Sequence, residues 1–95
     1  MPIGSFKHKG LEQLFSRGKS PAIGTRYAVR AKKILDMLNA ATSISDLAGA
    51  AGFHPLSGDR KGDFAMSANQ NYRITFRFKE GDKGDVIDVD LEDYH

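Results

Sequence analysis

The stretch NYRITFRFK, residues 71–79, decides the fold. Tyr72, Ile74, Phe76 and Phe78 alternate with Asn71, Arg73, Thr75 and Arg77. Successive side chains of a strand point to opposite faces. The pattern therefore predicts a half-buried strand with one apolar side and one side that carries two arginines. The segment after it, VIDVDLEDYH at 86–95, alternates as well. Ile87, Val89 and Leu91 are expected inward, and Asp88, Asp90 and Glu92 outward. Between them, EGDKGD at 80–85 has the Gly and Asp content of a hairpin loop, so the two strands should run antiparallel. Upstream, DFAMSA at 63–68 reads as another strand with Phe64 and Met66 on one face. FHPLSGDRKG at 53–62 reads as a short extended piece and then a loop around Ser57, Gly58 and Asp59.

The period is different in the first half of the chain. Leu11, Leu14 and Phe15 are spaced for a short helix over 8–16, with Gly18 as its stop signal. Ile23, Tyr27, Ala31, Ile34 and Leu38 recur at three and four over 20–40, the stripe of an amphipathic helix. Ser20 is expected to cap that helix and Pro21 to occupy its first position. In ATSISDLAGAG, Ser43 and Asp46 have the spacing of a capping box before one short turn. The order is two helices, then three or four strands. That predicts an α+β domain over residues 1–95, with the long helix packed on one face of a small antiparallel sheet. The other face should show Arg73, Thr75 and Arg77 beside an acidic closing strand.

Length and composition bound the function. Ninety-five residues, 40% of them hydrophobic, support one modest core. With no cysteine there is neither a disulfide framework nor a thiolate metal site. No apolar run is long enough to cross a bilayer, and the N-terminus has no apolar signal core. A soluble, cytoplasmic protein is the expectation. The net charge of +2 hides an asymmetry: residues 1–35 hold eight Lys or Arg and one acid, whereas 80–95 hold seven acids and one base. A basic region beside a local cluster of acids suits a polyanionic partner, and it equally suits a solubilising surface.

Motifs exclude several chemistries. There is no HExxH, no close histidine pair, no phosphate-binding glycine loop and no GxSxG elbow. What remains is a scattered set that a small sheet can gather: His54, Arg73 and the terminal His95. Imidazoles exchange protons near neutrality, with an unperturbed pKa of about 6.5. Guanidinium groups offer phosphates a rigid fork of donors. Two proton-transfer groups and one cation suffice to cleave RNA through its 2′-OH, a route closed to DNA. The cations available to a nucleic acid are Arg60, Lys61 and Arg77, with Arg26, Arg30 and Lys33 on the outer side of the long helix.

SFKHKGLEQLF at 5–15, HPLSGDRKGDF at 54–64, NYRITFRF at 71–78 and EDYH at 92–95 together resemble the HigB toxin family of the RelE/ParE superfamily, also described as plasmid maintenance system killer proteins. DMLNAATSISDL at 36–47 matches more loosely. The resemblance implies a RelE-like, microbial-ribonuclease-type fold. It also implies a ribosome-dependent mRNA endonuclease that enters the A site of the 70S ribosome and cuts the codon presented there. The implied partner is a helix-turn-helix antitoxin of HigA type, and operator DNA is bound only through that complex. By this resemblance His54, Arg73, Asp93, Tyr94 and His95 are the catalytic set. Arg73 would steady the scissile phosphate, while His54, Asp93 and His95 would share positioning and proton transfer. No metal or cofactor enters this reading.

The chain departs from the family pattern at Ser57, where a lysine is frequent, at Asp63 and Phe64, where a Tyr-Trp pair is frequent, and at Tyr72, where a tryptophan is frequent. Asp63 puts a negative charge near the expected RNA path. Two further readings stand beside the endonuclease: a ParE-like poison that binds DNA gyrase, and a nucleic-acid- or antitoxin-binding module with weak catalysis.

Overall fold

The computed structural model describes residues 1–80 and 83–93. Two helices, α1 (Lys9–Arg17) and α2 (Thr25–Ala40), precede four strands: β1 (His54–Pro55), β2 (Asp63–Ser67), β3 (Tyr72–Glu80) and β4 (Lys83–Asp93). The strands form one antiparallel sheet in the order β1-β2-β3-β4. This is the α+β architecture that the alternation and the helical stripes predict.

Local chemistry sets the helix ends. The Nδ1 of His8 accepts the N–H of Leu11 at 3.1 Å and caps α1. Gly18, at φ +79°, closes it by donating its N–H to the carbonyl of Leu14. That left-handed position costs glycine nothing. α2 begins later than its sequence suggests. Ser20 does not cap it. The N–H of Ile23 bonds the Ser20 carbonyl at 3.2 Å, so Ser20–Ile23 is a turn with Pro21 at its second position. Proline's fixed φ suits that place as well as a helix start. The Ser20 hydroxyl instead bonds Gln13 Oε1 and accepts from the Ala22 N–H.

One 3₁₀ turn, Ile44–Leu47, follows α2. Ser43 precedes it without a side-chain cap. Asp46 reaches back instead, accepting from the N–H and the hydroxyl of Thr42 at 2.9 Å each. These bonds hold its carboxyl below the usual range.

The core lies between the helices and one face of the sheet. Leu11 and Leu14 of α1 and Ala31, Ile34, Leu35 and Leu38 of α2 pack with Met66, Ile74, Phe76, Phe78, Val86 and Val89. Directly opposed residues of antiparallel strands share a face. Phe64↔Phe76, Met66↔Ile74 and Ile74↔Leu91 are therefore the inner rows. Phe53 extends them, stacked on Phe64 at 5.4 Å. Tyr72 stacks on Tyr27 at 5.2 Å and joins β3 to α2.

β4 departs from strict alternation. Thr75 pairs with Asp90, but Arg77, two residues on, pairs with Ile87, three residues back. The extra residue is a bulge, with Asp88 at φ +56°. It flips the register, so Val86 is fully buried while Ile87 leaves the core, contrary to its expected inward placement. Val89 and Leu91 do face inward. The pairing of β3 with β4 also runs on to Glu80↔Lys83, deeper into the segment expected to be loop.

The edges of the sheet are covered. Residues 1–8 lie along the free side of β4 through parallel bridges Ile3↔Val86 and Phe6↔Val89. The N–H of Gly4 bonds the Val86 carbonyl at 2.7 Å, and that of Lys7 the Val89 carbonyl at 2.8 Å. At the other side, β1 is two residues long and contains Pro55, which offers no N–H to a passing strand. No helix among the described residues is long and apolar enough to cross a membrane.

Candidate functional site

The outer face of the sheet is built from the rows that alternate with the core: Asp63↔Arg77↔Ile87, His54↔Ala65↔Thr75↔Asp90, and Ser67↔Arg73↔Glu92. Arg73 and Glu92 are direct neighbours across β3 and β4, and Thr75 is one step along the same face. The Glu92 carboxylate is the hub. It accepts from Arg60 Nη1 and Nη2 at 3.0 and 2.7 Å, from Arg73 Nη2 at 3.2 Å and from the Thr75 hydroxyl at 2.7 Å. Arg60 closes the cluster on its other edge by donating Nε to Asp63 at 3.0 Å.

Two guanidiniums thus share one carboxylate in a partly dry place. Glu92 has 23% of its side chain exposed, and Thr75 is buried. The bidentate Arg60 fork is the largest cause that lowers the Glu92 carboxyl from 4.5 to about 2. Thr75 and Arg73 add to it, against the cost of burial. Glu92 and Asp63 in turn raise Arg60, so the Arg60–Glu92 pair is ionised throughout the physiological range.

Arg60 reaches this place because of the loop that carries it. Ser57 precedes a 3₁₀ turn over Gly58–Arg60, and the Leu56 N–H bonds the Asp63 carbonyl at 2.8 Å. The turn thereby folds back against β2. Asp63 does not present a bare charge to the outer face, because Arg60 holds it. Ser57 stays exposed.

His54 sits at the start of β1 on the same face as Thr75, two strands away, a span of about 10 Å. Its ring is exposed, and Nδ1 lies 2.8 Å from the Gly52 carbonyl. A carbonyl can only accept, so Nδ1 carries the proton in the neutral ring. The Nε2 lone pair is left available.

Asp93 is placed differently from Arg73. It pairs with Tyr72, so it belongs to the row that faces the helices, at an exposed position. Tyr94 and His95 lie outside the described residues. Of the expected RNA-contacting cations, Arg77 and Lys61 are exposed, Arg77 on the outer face of the sheet. Arg60 is engaged with two acids. Arg26, Arg30 and Lys33 form an exposed row on α2, in the helix layer. Arg30 donates Nε to the Ser67 carbonyl at 3.0 Å.

Sequence reasoning missed Glu92 and Thr75 as members of the site. A signal for Glu92 was present: opposite charges on the outward positions of two strands joined by a hairpin. What the sequence lacked was the register that puts them side by side. Among the described residues, no three His, Asp or Glu side chains converge as metal ligands would.

Comparison with known proteins agrees with this fold. Residues 4–95 match the family described as the RelE-like toxin of the type II toxin-antitoxin system HigB. The chain is 38% identical over 94 residues to the endoribonuclease HigB of Proteus vulgaris, which covers 98% of this chain and 99% of that protein. The chain therefore belongs to the HigB-like family of RelE-type toxins.

Proposed function

We propose that this protein is the toxin of a type II toxin–antitoxin pair and acts as a ribosome-dependent mRNA endonuclease. The observation that carries the reading is Arg73. It is fixed on the outer face of β3, in a cluster with Arg60 and the Thr75 hydroxyl that is chemically suited to the non-bridging oxygens of a phosphodiester. The similarity to the endoribonuclease HigB of Proteus vulgaris supports it.

In this reading the RNA backbone lies across the outer face of the sheet. The ribose 2′-oxygen attacks phosphorus and loses its proton to a general base. The P–O5′ bond breaks, and the departing oxygen takes a proton from a general acid. The products are a 2′,3′-cyclic phosphate and a 5′-hydroxyl. Arg73 offsets the charge that builds on the pentavalent phosphorus. His54, with Nε2 available, suits the base. His95, Tyr94 and Asp93 complete the set that the family resemblance implies. The partner is a helix-turn-helix antitoxin of HigA type, and the cytoplasm is the place of action. Arg77 and Lys61, with Arg26, Arg30 and Lys33 on the helix layer, supply contacts to ribosomal or messenger RNA.

The test is a translating extract to which the protein is added, followed by mapping of mRNA 5′ ends. Cuts within codons presented in the A site are expected. Intact mRNA at doses that arrest translation would remove the reading.

A further inference from the structure

We propose that Glu92 is an internal stand-in for the substrate phosphate. Its carboxylate occupies the anion site formed by Arg60, Arg73 and Thr75, and RNA must displace it. The inference rests on the endonuclease reading for the identity of the incoming anion, and on geometry for the rest.

Glu92 receives four hydrogen bonds, two from Arg60 and one each from Arg73 and Thr75, all at 2.7–3.2 Å. A carboxylate presents two oxygens on one centre, each accepting two donors. A phosphodiester presents its two non-bridging oxygens in the same way, and guanidinium forks match both. The donors that a phosphate needs are therefore already arranged, and they are already filled. Their convergence on a single acid in a partly buried place gives the site its shape before RNA arrives.

Occupation has a thermodynamic consequence. A protein whose binding-competent state is populated only in part shows an affinity reduced by that fraction. With Glu92 seated, a phosphate meets an acid instead of open donors, so free RNA binds weakly. Messenger RNA held in place on a ribosome has a high effective concentration and can displace the carboxylate. Glu92 thereby favours ribosome-held RNA over free RNA, with no need for contacts to particular bases. Asp63 keeps Arg60 in place through Nε when the Glu92 bonds open, so Arg60 does not swing away with its partner.

The probe is a fluorescein-labelled RNA with a 2′-O-methyl group on every ribose, which binds but cannot be cut. Its affinity is measured by anisotropy for wild type, Glu92→Gln and Asp88→Asn. Asp88 lines the same small cavity as Arg60, Thr75 and Glu92, and asparagine tolerates its left-handed backbone, so this variant removes an equal charge and leaves the hydrogen bonds of Glu92 to Arg60 and Arg73 in place. Glu92→Gln should bind about tenfold tighter or more, and Asp88→Asn within about threefold of wild type. A folded Glu92→Gln that gains no more than Asp88→Asn overturns the proposal.

The wild type supplies a second measurement that needs no variant. The side-chain N–H resonances of Arg60 and Arg73 should shift together as the same RNA is added, and unmoved resonances at saturation overturn the proposal too. Cleavage in the extract by wild type, with no gain in Glu92→Gln, removes the stand-in and keeps the endonuclease. Uncut mRNA with a clear gain does the reverse.

Discussion

Glu92 links stability to acidity. Its carboxyl sits at about 2 in the fold and at 4.5 without its partners. A depressed carboxylate contributes stability above the unfolded value and loses it as pH falls through the folded one. The window is therefore pH 4.5 down to about 2. The shift corresponds to about 3 kcal/mol, an upper figure for a group still partly exposed to water. Glu92→Gln should be less stable than wild type at pH 7 by about 1–3 kcal/mol, since the charge that bridges the two guanidiniums is then gone and only Asp63 still holds Arg60. The two proteins should converge near pH 2. Urea midpoints across that range check both statements, and a constant gap would contradict them. Arg73 should behave otherwise. Glu92 keeps Arg60 and Thr75 when Arg73 is removed, so Arg73→Ala should change stability by only about 1 kcal/mol. It should nonetheless relieve growth arrest on induced expression. Full toxicity in that variant would place the phosphate elsewhere.

At the scale of elements, the strands were legible wherever alternation was strict. Tyr72, Ile74, Phe76 and Phe78 on one side of β3 and Arg73, Thr75 and Arg77 on the other follow from period two alone. The bulge in β4 was not legible. An aspartate at φ +56° leaves no mark in the hydropathy pattern, because Asp adopts both the extended and the left-handed backbone. One such residue moved Ile87 out and Val86 in. The same gap hid the site: Arg73 was visible as an outward cation, but its pairing with Glu92 depends on register, which alternation does not count. α2 shows a related ambiguity, since Ser-Pro starts a turn as readily as a helix. The bulge makes a sharp prediction. Asp88→Val puts a β-branched side chain in a left-handed position and should cost about 1–3 kcal/mol, whereas Asp88→Gly should be close to neutral. Equal losses in denaturant would show that the backbone at this position is not what holds the register.

For the whole molecule, the two ends of the chain carry separable duties. Residues 1–8 complete the ladder on the free side of β4: Gly4 and Lys7 donate to the carbonyls of Val86 and Val89, whose own N–H groups donate to the carbonyls of Pro2 and Ser5. The Ser5 hydroxyl also accepts the N–H of Asp88, at the bulge itself. Without this segment, a long strand bordering the core would expose its unpaired groups, the arrangement that invites strand-to-strand association. Deleting residues 2–6 should therefore lower the melting temperature and produce concentration-dependent oligomers in sedimentation. At the other end, the described pairing of β3 with β4 reaches Tyr72↔Asp93. Under the proposed function, in which His95 shares in positioning and proton transfer, deleting only Tyr94 and His95 should leave a cooperatively folded protein that no longer stops growth. The contrast is the test, because each deletion controls for the other. Loss of toxicity with an unchanged melting curve separates chemistry from fold at the C-terminus. A melting temperature that falls as far there as after the N-terminal deletion would make the C-terminal pair part of the scaffold instead.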